Sequence, residues 1–327
     1  MPVIDLAPYF RSEEGAGESI ANHLREIQQE IGYYCIINHG IGAQLISDAI
    51  GQVRLFYGLA LEERMKLRVG AASTGYVPLK SSVYVTSPLN DNDQAKRDLN
   101  ENFRIVRERP ADHPSILAGR RFTGPNKWPP EALLPDFKAR MLAYYEAAEN
   151  LGRALLPLYA VALGLAEDYF EPYFLDPTWL TRNVHYPPDA PEDNQFAASP
   201  HRDHSFLSML PMSPISGLQF QTRGGDWMAP EYLENALVVN SGEFMENWTN
   251  GRFIATPHRV LAPGRDRYII AFFFNPDWDV VSDPLPGCVT PERPAAHRPI
   301  RFLDHLCNYV DGNYAKSSGG TLEDDTP

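Results

Sequence analysis

Apolar and polar positions follow two different rhythms along this chain. Over 18–31, Ile20, Leu24 and Ile27 recur at spacings of four and three, which places them on one face of a helix. Residues 43–68 carry two more helical patterns ending near LEERMKL, and 131–165 carry the longest, including FKARMLAYYEAAENLGRALL. Short strands interrupt them: PVIDL at 2–6, YYCII at 33–37 closed by a turn at Asn38-His39-Gly40, and ENFRIV. A polar loop spans about 70–100, and a proline-rich connection runs over 110–130.

After 175 the rhythm shortens. TRNVHY, SFLSML, GLQFQT, ALVVNSG, RFIATPHRV and RYIIAFFF follow one another between Gly, Pro and Asp. Such spacing predicts a sandwich or barrel. Because the helices come first and the strands later, the chain is not a repeating βαβ protein. No internal repeat is visible, and KSSGGTLEDDTP at 316–327 reads as a disordered tail.

Composition narrows the function by exclusion. Of the 327 residues, 43% are hydrophobic and 22% charged, as in an ordinary soluble domain, and the net charge is -13. That balance argues against a nucleic-acid partner and against anionic membranes. Cys35, Cys288 and Cys307 show no paired spacing, so neither a disulfide framework nor a zinc site is expected. No signal peptide or membrane span is visible. The chain is expected to be a cytoplasmic monomer acting on a small molecule.

Candidate chemistry centres on His201-Arg202-Asp203 at the start of SFLSML. In a strand, residues i and i+2 share a face, so His201 and Asp203 would converge. His258, in TPHRV, is the candidate third ligand from another strand. Two imidazoles and a carboxylate on one side of a metal form the facial triad of non-haem iron(II) oxygenases, with positions left open. The plainer reading of HRD is a loop with a capping Asp. His204 is a neighbouring rival ligand, expected on the opposite face.

Further on, alternation places Arg267, Ile269, Ala271 and Phe273 on one face. An arginine among apolar neighbours is costly unless paired with an anion, and a dicarboxylate cosubstrate is a natural one. A buried Arg–Asp or Arg–Glu pair is the structural alternative. Tyr186, in TRNVHYPP, is positioned to add a phenol hydrogen bond. Phe273 reads either as a ring stacked over substrate or as core packing. The loop 76–90 is a candidate cover for the site, with Lys80 and Tyr84 as candidate substrate contacts.

These segments resemble, in order and over nearly the whole chain, the isopenicillin N synthase-like branch of the iron(II)/2-oxoglutarate oxygenases. The resemblance rests on PVIDL, GYYCIINHGI, LEERMKL, GPNKWPP, VHYPP, HRD with SFLSML, GLQFQTRGGDW, VVNSGEFMENWTNGRFIATPHRV and RYIIAFFFNP. It implies a double-stranded β-helix (jelly-roll) core at about 175–290, surrounded by helices from an N-terminal region at about 1–170, in one oxygenase domain over 1–315. It implies Fe(2+) on His201, Asp203 and His258, 2-oxoglutarate on Arg267 and Tyr186, and O2 as oxidant. The implied reaction is hydroxylation, desaturation or ring closure at a C–H bond, with release of succinate and CO2. Two positions depart from the family pattern. Ile269 replaces a serine that usually shares the distal carboxylate, and Val184 replaces an asparagine. An unsatisfied carboxylate oxygen costs about 1–3 kcal/mol. Ile269 therefore keeps open an oxidase that uses iron without 2-oxoglutarate. A non-enzymatic binding protein is a third reading.

Overall fold

The computed structural model describes residues 1–70, 72–82 and 96–314. Tyr84 and the 316–327 tail lie outside them. The N-terminal half contains β1 (Val3–Asp5), α1 (Ala7–Phe10), α2 (Ala16–Glu30), β2 (Tyr33–Ile37), α3 (Ala43–Tyr57), α4 (Leu61–Met65), β3 (Gly75–Val77), β4 (Glu101–Val106), α5 (Pro114–Leu117) and α6 (Phe137–Leu163). Then come β5 (Thr178–Tyr186), β6 (Ala198–His201), β7 (Leu207–Pro211), β8 (Leu218–Gln221), β9 (Trp227–Met228), β10 (Leu237–Ser241), α7 (Glu243–Trp248), β11 (His258–Val260), β12 (Arg267–Asn275) and α8 (Phe302–Tyr314).

The strands form an eight-stranded sheet, β1-β2-β10-β7-β12-β5-β4-β3, and a four-stranded sheet, β6-β11-β8-β9. This is a jelly-roll core of two facing sheets, not a closed barrel. The N-terminal half is woven into it: β2 pairs with β10 at one side of the large sheet, and β4 pairs with β5 at the other.

Strand β12 shows why its sequence is nearly all apolar. Ile270, Phe272 and Phe274 point into the large core beneath the helices, whereas Ile269 joins a smaller cluster between the sheets. A strand buried on both faces has no solvent side to make polar. Helix α6 lies directly on its outer face. A methyl group at Gly152 would come within 2.8 Å of the Phe274 ring, so only glycine permits that approach.

Three elements differ from the sequence expectation. The 70–100 stretch contains the short strand β3. The VVNSGEFMENW segment turns into helix α7 after β10. Helix α8, which the sequence reading did not separate, buries Phe302, Leu306 and Val310 at a spacing of four. Among the described residues, no helix is long and apolar enough to cross a membrane.

Candidate metal centre

The small sheet brings the two histidines together. β6 ends at His201, β11 begins at His258, and the two are direct partners in the antiparallel register. Their ring centres are 4.3 Å apart. His201 Nδ1 lies 2.7 Å from the Ser199 carbonyl, and His258 Nδ1 lies 3.2 Å from the Thr256 carbonyl. A carbonyl can only accept, so each Nδ1 carries a proton and each Nε2 is the nitrogen turned toward the metal position. Those Nε2 atoms stand 3.8 Å and 3.6 Å from Asp203 Oδ1. One potential ligand atom from each of the three residues lies within 4.8 Å of the others.

Asp203 does not reach this point along a strand. The chain leaves β6 at His201, and Asp203 sits in the following loop. The alternation argument for His201 and Asp203 is therefore corrected: the loop, not the pleat, aims the carboxylate. Ser208 Oγ donates to Asp203 Oδ2 at 2.6 Å and Asn240 Nδ2 at 2.8 Å, which leaves Oδ1 for the imidazoles. Burial alone would raise the Asp203 pKa. The two histidines and these hydrogen bonds outweigh it and pull the pKa down to about 2. Burial, with His258 alongside, pushes the His201 imidazole well below its usual range and so keeps it neutral. A carboxylate anion beside the neutral His201 imidazole suits a divalent cation.

The loop is pinned by backbone proximity. The Glu243 amide donates to the Asp203 carbonyl at 2.7 Å. A Cβ on Gly242 would lie 2.8 Å from that carbonyl oxygen and closer still to the Ser205 backbone. Since these neighbours are backbone, the loop itself must move. Gly242→Ala is expected to weaken iron(II) affinity by about 10–100-fold, the range typical of lost outer-shell support, while the fold persists. Metal titration beside circular dichroism checks this; unchanged affinity would mean that the loop does not aim Asp203.

A cavity between the sheets runs from the triad to Arg267, and Tyr186, Val184, Ile269 and Phe273 also line it. Arg267 is 3% exposed and lies opposite Tyr186 in the β12–β5 register. Its Nε donates to the Ile215 carbonyl at 3.1 Å, and its guanidinium carbon sits 5.0 Å from the centre of the Tyr186 ring. Among the described residues its partners are this carbonyl and Tyr186, not a carboxylate. That removes the buried Arg–Asp or Arg–Glu alternative there. Burial lowers the Arg267 pKa and raises that of Tyr186; each group partly offsets the shift of the other.

The remaining candidates separate. Phe273 lines this cavity and a second one beyond it. His204 turns away from the triad and packs its ring 5.0 Å from Phe273 and 5.1 Å from Tyr309. Lys80 lies at the surface, paired with Asp189 at 2.9 Å, and lines neither cavity. Sequence reasoning missed Ser208, Asn240 and Gly242. Asn240 did leave a signal, since a polar amide ending the apolar run ALVVN demands a buried partner.

Comparison with known proteins agrees with this geometry. Residues 177–276 match the model of the 2OG-Fe(II) oxygenase superfamily, and residues 1–131 match the non-haem dioxygenase in morphine synthesis N-terminal model. Kihadalactone A synthase of Citrus sinensis is 31% identical, over 92% of this chain and 89% of its own length. A 2-oxoglutarate-Fe(II) type oxidoreductase of Emericella nidulans is 29% identical, over 97% of this chain and 90% of its own. The structure of a full-length Neurospora crassa protein in complex with alpha-KG and thymine superposes with a TM-score of 0.82 at 23% identity, covering 95% of this chain and 96% of that one.

Proposed function

The chain belongs to the 2OG-Fe(II) oxygenase superfamily and is an iron(II)- and 2-oxoglutarate-dependent oxygenase of small molecules, and we propose that His201, Asp203 and His258 hold its iron while Arg267 and Tyr186 hold the far carboxylate of 2-oxoglutarate. The observation that carries this assignment is the shared cavity: three convergent donors at one end and a buried, carboxylate-free arginine at the other. The donor set suits iron(II), since imidazole and carboxylate fit a borderline divalent metal and a three-residue set leaves coordination positions open. When bound, iron(II) with 2-oxoglutarate supplies dioxygen activation for C–H oxidation, releasing succinate and CO2.

The chain's own residues supply placement and dryness. Ser208 and Asn240 fix the Asp203 carboxylate, and the Ser199 and Thr256 carbonyls fix the two rings. Arg267 offers a positive charge where water is scarce, which strengthens its attraction for a carboxylate. Val184, Leu210, Leu218 and Ile269 keep the space between the two ends apolar. We further propose that residues 1–315 act as one oxygenase domain, because β2 and β4 of the N-terminal half are paired strands of the large sheet.

Adding 2-oxoglutarate to the iron(II)-loaded protein under argon is expected to give a visible charge-transfer band, because a keto acid chelated to ferrous iron absorbs there. The zinc-loaded protein is expected to give none. Absence of the band at millimolar 2-oxoglutarate, with iron demonstrably bound, would refute cosubstrate binding at this centre.

A further inference from the structure

Among the described residues, three side chains that carry a hydroxyl line the cavity between the triad and Arg267: Tyr33, Tyr186 and Ser208. Two of them are already engaged. Ser208 bonds Asp203 and Ser205, and Tyr186 bonds Arg267. The Tyr33 hydroxyl has no hydrogen-bond partner among the described residues, although Tyr33 is only 1% exposed. A buried phenol left alone is costly, and a ligand acceptor in the cavity would satisfy it. A phenol is protonated at neutral pH, so it can donate.

The fold places this side chain at the metal end of the cavity. Along β2, alternation sends Tyr33 and Cys35 to the cluster between the sheets, and Tyr34 and Ile36 to the core beneath the helices. Tyr33 lies opposite Asn240 in the β2–β10 register, and Asn240 is the residue whose amide donates to Asp203. The Tyr33 ring stacks on Phe220, with centres 5.6 Å apart, and its centre lies 5.5 Å from that of the His258 ring. Asp203 and Tyr186 are both within electrostatic range of it. A neutral donor suits this place, since a cationic one beside the triad would repel the metal ion.

We propose that Tyr33 is a cosubstrate-binding residue: its hydroxyl donates a hydrogen bond to the keto-acid end of 2-oxoglutarate, the end held at the metal centre. This deepens the functional assignment above and rests on it. The N-terminal half then contributes directly to the cosubstrate site, through a strand that joins the large sheet from near the start of the chain.

The test is Tyr33→Phe, which keeps the ring on Phe220 and removes only the hydroxyl. Calorimetric titration of the zinc-loaded protein is expected to show 2-oxoglutarate binding weakened about tenfold or more, as for a lost hydrogen bond to a charged acceptor. Without cosubstrate, the melting temperature of the variant should match or exceed that of the parent, because the deleted hydroxyl has no partner there. In the iron(II)-loaded protein under argon, the charge-transfer band at saturating 2-oxoglutarate should be shifted, since that band reads the chelated keto acid and not the far carboxylate. Tyr34→Phe is the control. It removes the neighbouring hydroxyl, which is bonded to Tyr159 at 2.9 Å on the other face, and should cost stability without changing affinity. The proposal is overturned if Tyr33→Phe binds 2-oxoglutarate as tightly as the parent, if Tyr34→Phe weakens binding equally, or if the band stays in place at saturation. A Tyr33→Phe protein that fails to fold also overturns it, since a hydroxyl without a partner cannot sustain the fold. A parent protein that takes up zinc yet binds no 2-oxoglutarate would instead count against the cosubstrate assignment.

Discussion

His258→Ala is expected to abolish iron(II) binding at stoichiometric metal while leaving a folded protein. The imidazole supplies one of three convergent donors, and its Nε2 stands 3.6 Å from Asp203 Oδ1. Losing an outer-shell partner alone weakens metal sites by about 10–100-fold, so losing a ligand should exceed that range. The fold has reason to survive. β11 is held on both sides by backbone pairing to β6 and β8, which the substitution leaves in place. What is lost is the hydrogen bond to the Thr256 carbonyl and a ring packed beside His201 and Tyr33, and the stability change should stay within roughly 0.5–3 kcal/mol. Asp203→Ala should also lose iron but destabilise the fold more, because the Ser208 and Asn240 donors would be left buried without their acceptor. Ferrous titration together with thermal unfolding separates the two effects. If His258→Ala binds iron like the parent, the triad assignment is wrong.

Arg267→Ala and Ile269→Ser are expected to move 2-oxoglutarate affinity in opposite directions. Removing the guanidinium deletes a charge-assisted pair inside a dry cavity, a loss of about 3 kcal/mol or about a hundredfold in affinity. Arg267→Lys should recover only part of this, since an ammonium cannot match two carboxylate oxygens at once. Ile269 lines the same cavity one pleat along β12, and a serine there returns a hydroxyl to the carboxylate. Affinity should tighten by a few-fold to about tenfold. The same change should lower the melting temperature, because Ile269 is 3% exposed and belongs to the cluster between the sheets. Tighter binding in a less stable protein is hard to attribute to general repair, and calorimetric titration of the zinc-loaded protein reads it without turnover. If neither substitution alters affinity, the carboxylate does not bind at Arg267.

These residues were legible in the sequence because each obeys a local rule. On β12, alternation set Arg267, Ile269, Ala271 and Phe273 on one face, and all four line the cavity. Strand 33–37 was readable from its aromatic and β-branched residues, and strand 101–106 and the long helix were likewise legible in their local sequence. What local rules could not supply was a relation between distant segments. Asp203 is aimed by a loop pressed against Gly242, and no spacing within HRD encodes that contact. That Arg104 faces Arg182 depends likewise on the β4–β5 register, which joins stretches far apart in the chain. Arg182 alone was within reach, two residues before Val184 and four before Tyr186 on one strand face. Lys80 read as a possible substrate contact because nothing in its loop announces Asp189 as its partner.

The pairing of β2 with β10 also bears on the order of events when the chain folds. β10 carries Asn240, which steadies Asp203, and it is flanked by β2 from near the N-terminus and β7 from well beyond the middle. Pairings between such remote segments form slowly, since a long loop must close before any contact rewards it. The strand that supports the carboxylate therefore completes its ladder only when β2, from near the N-terminus, has been brought back onto it. A small zinc domain can be organised by its ion; here the polypeptide must assemble first, and the binding centre is a late product of folding rather than its nucleus.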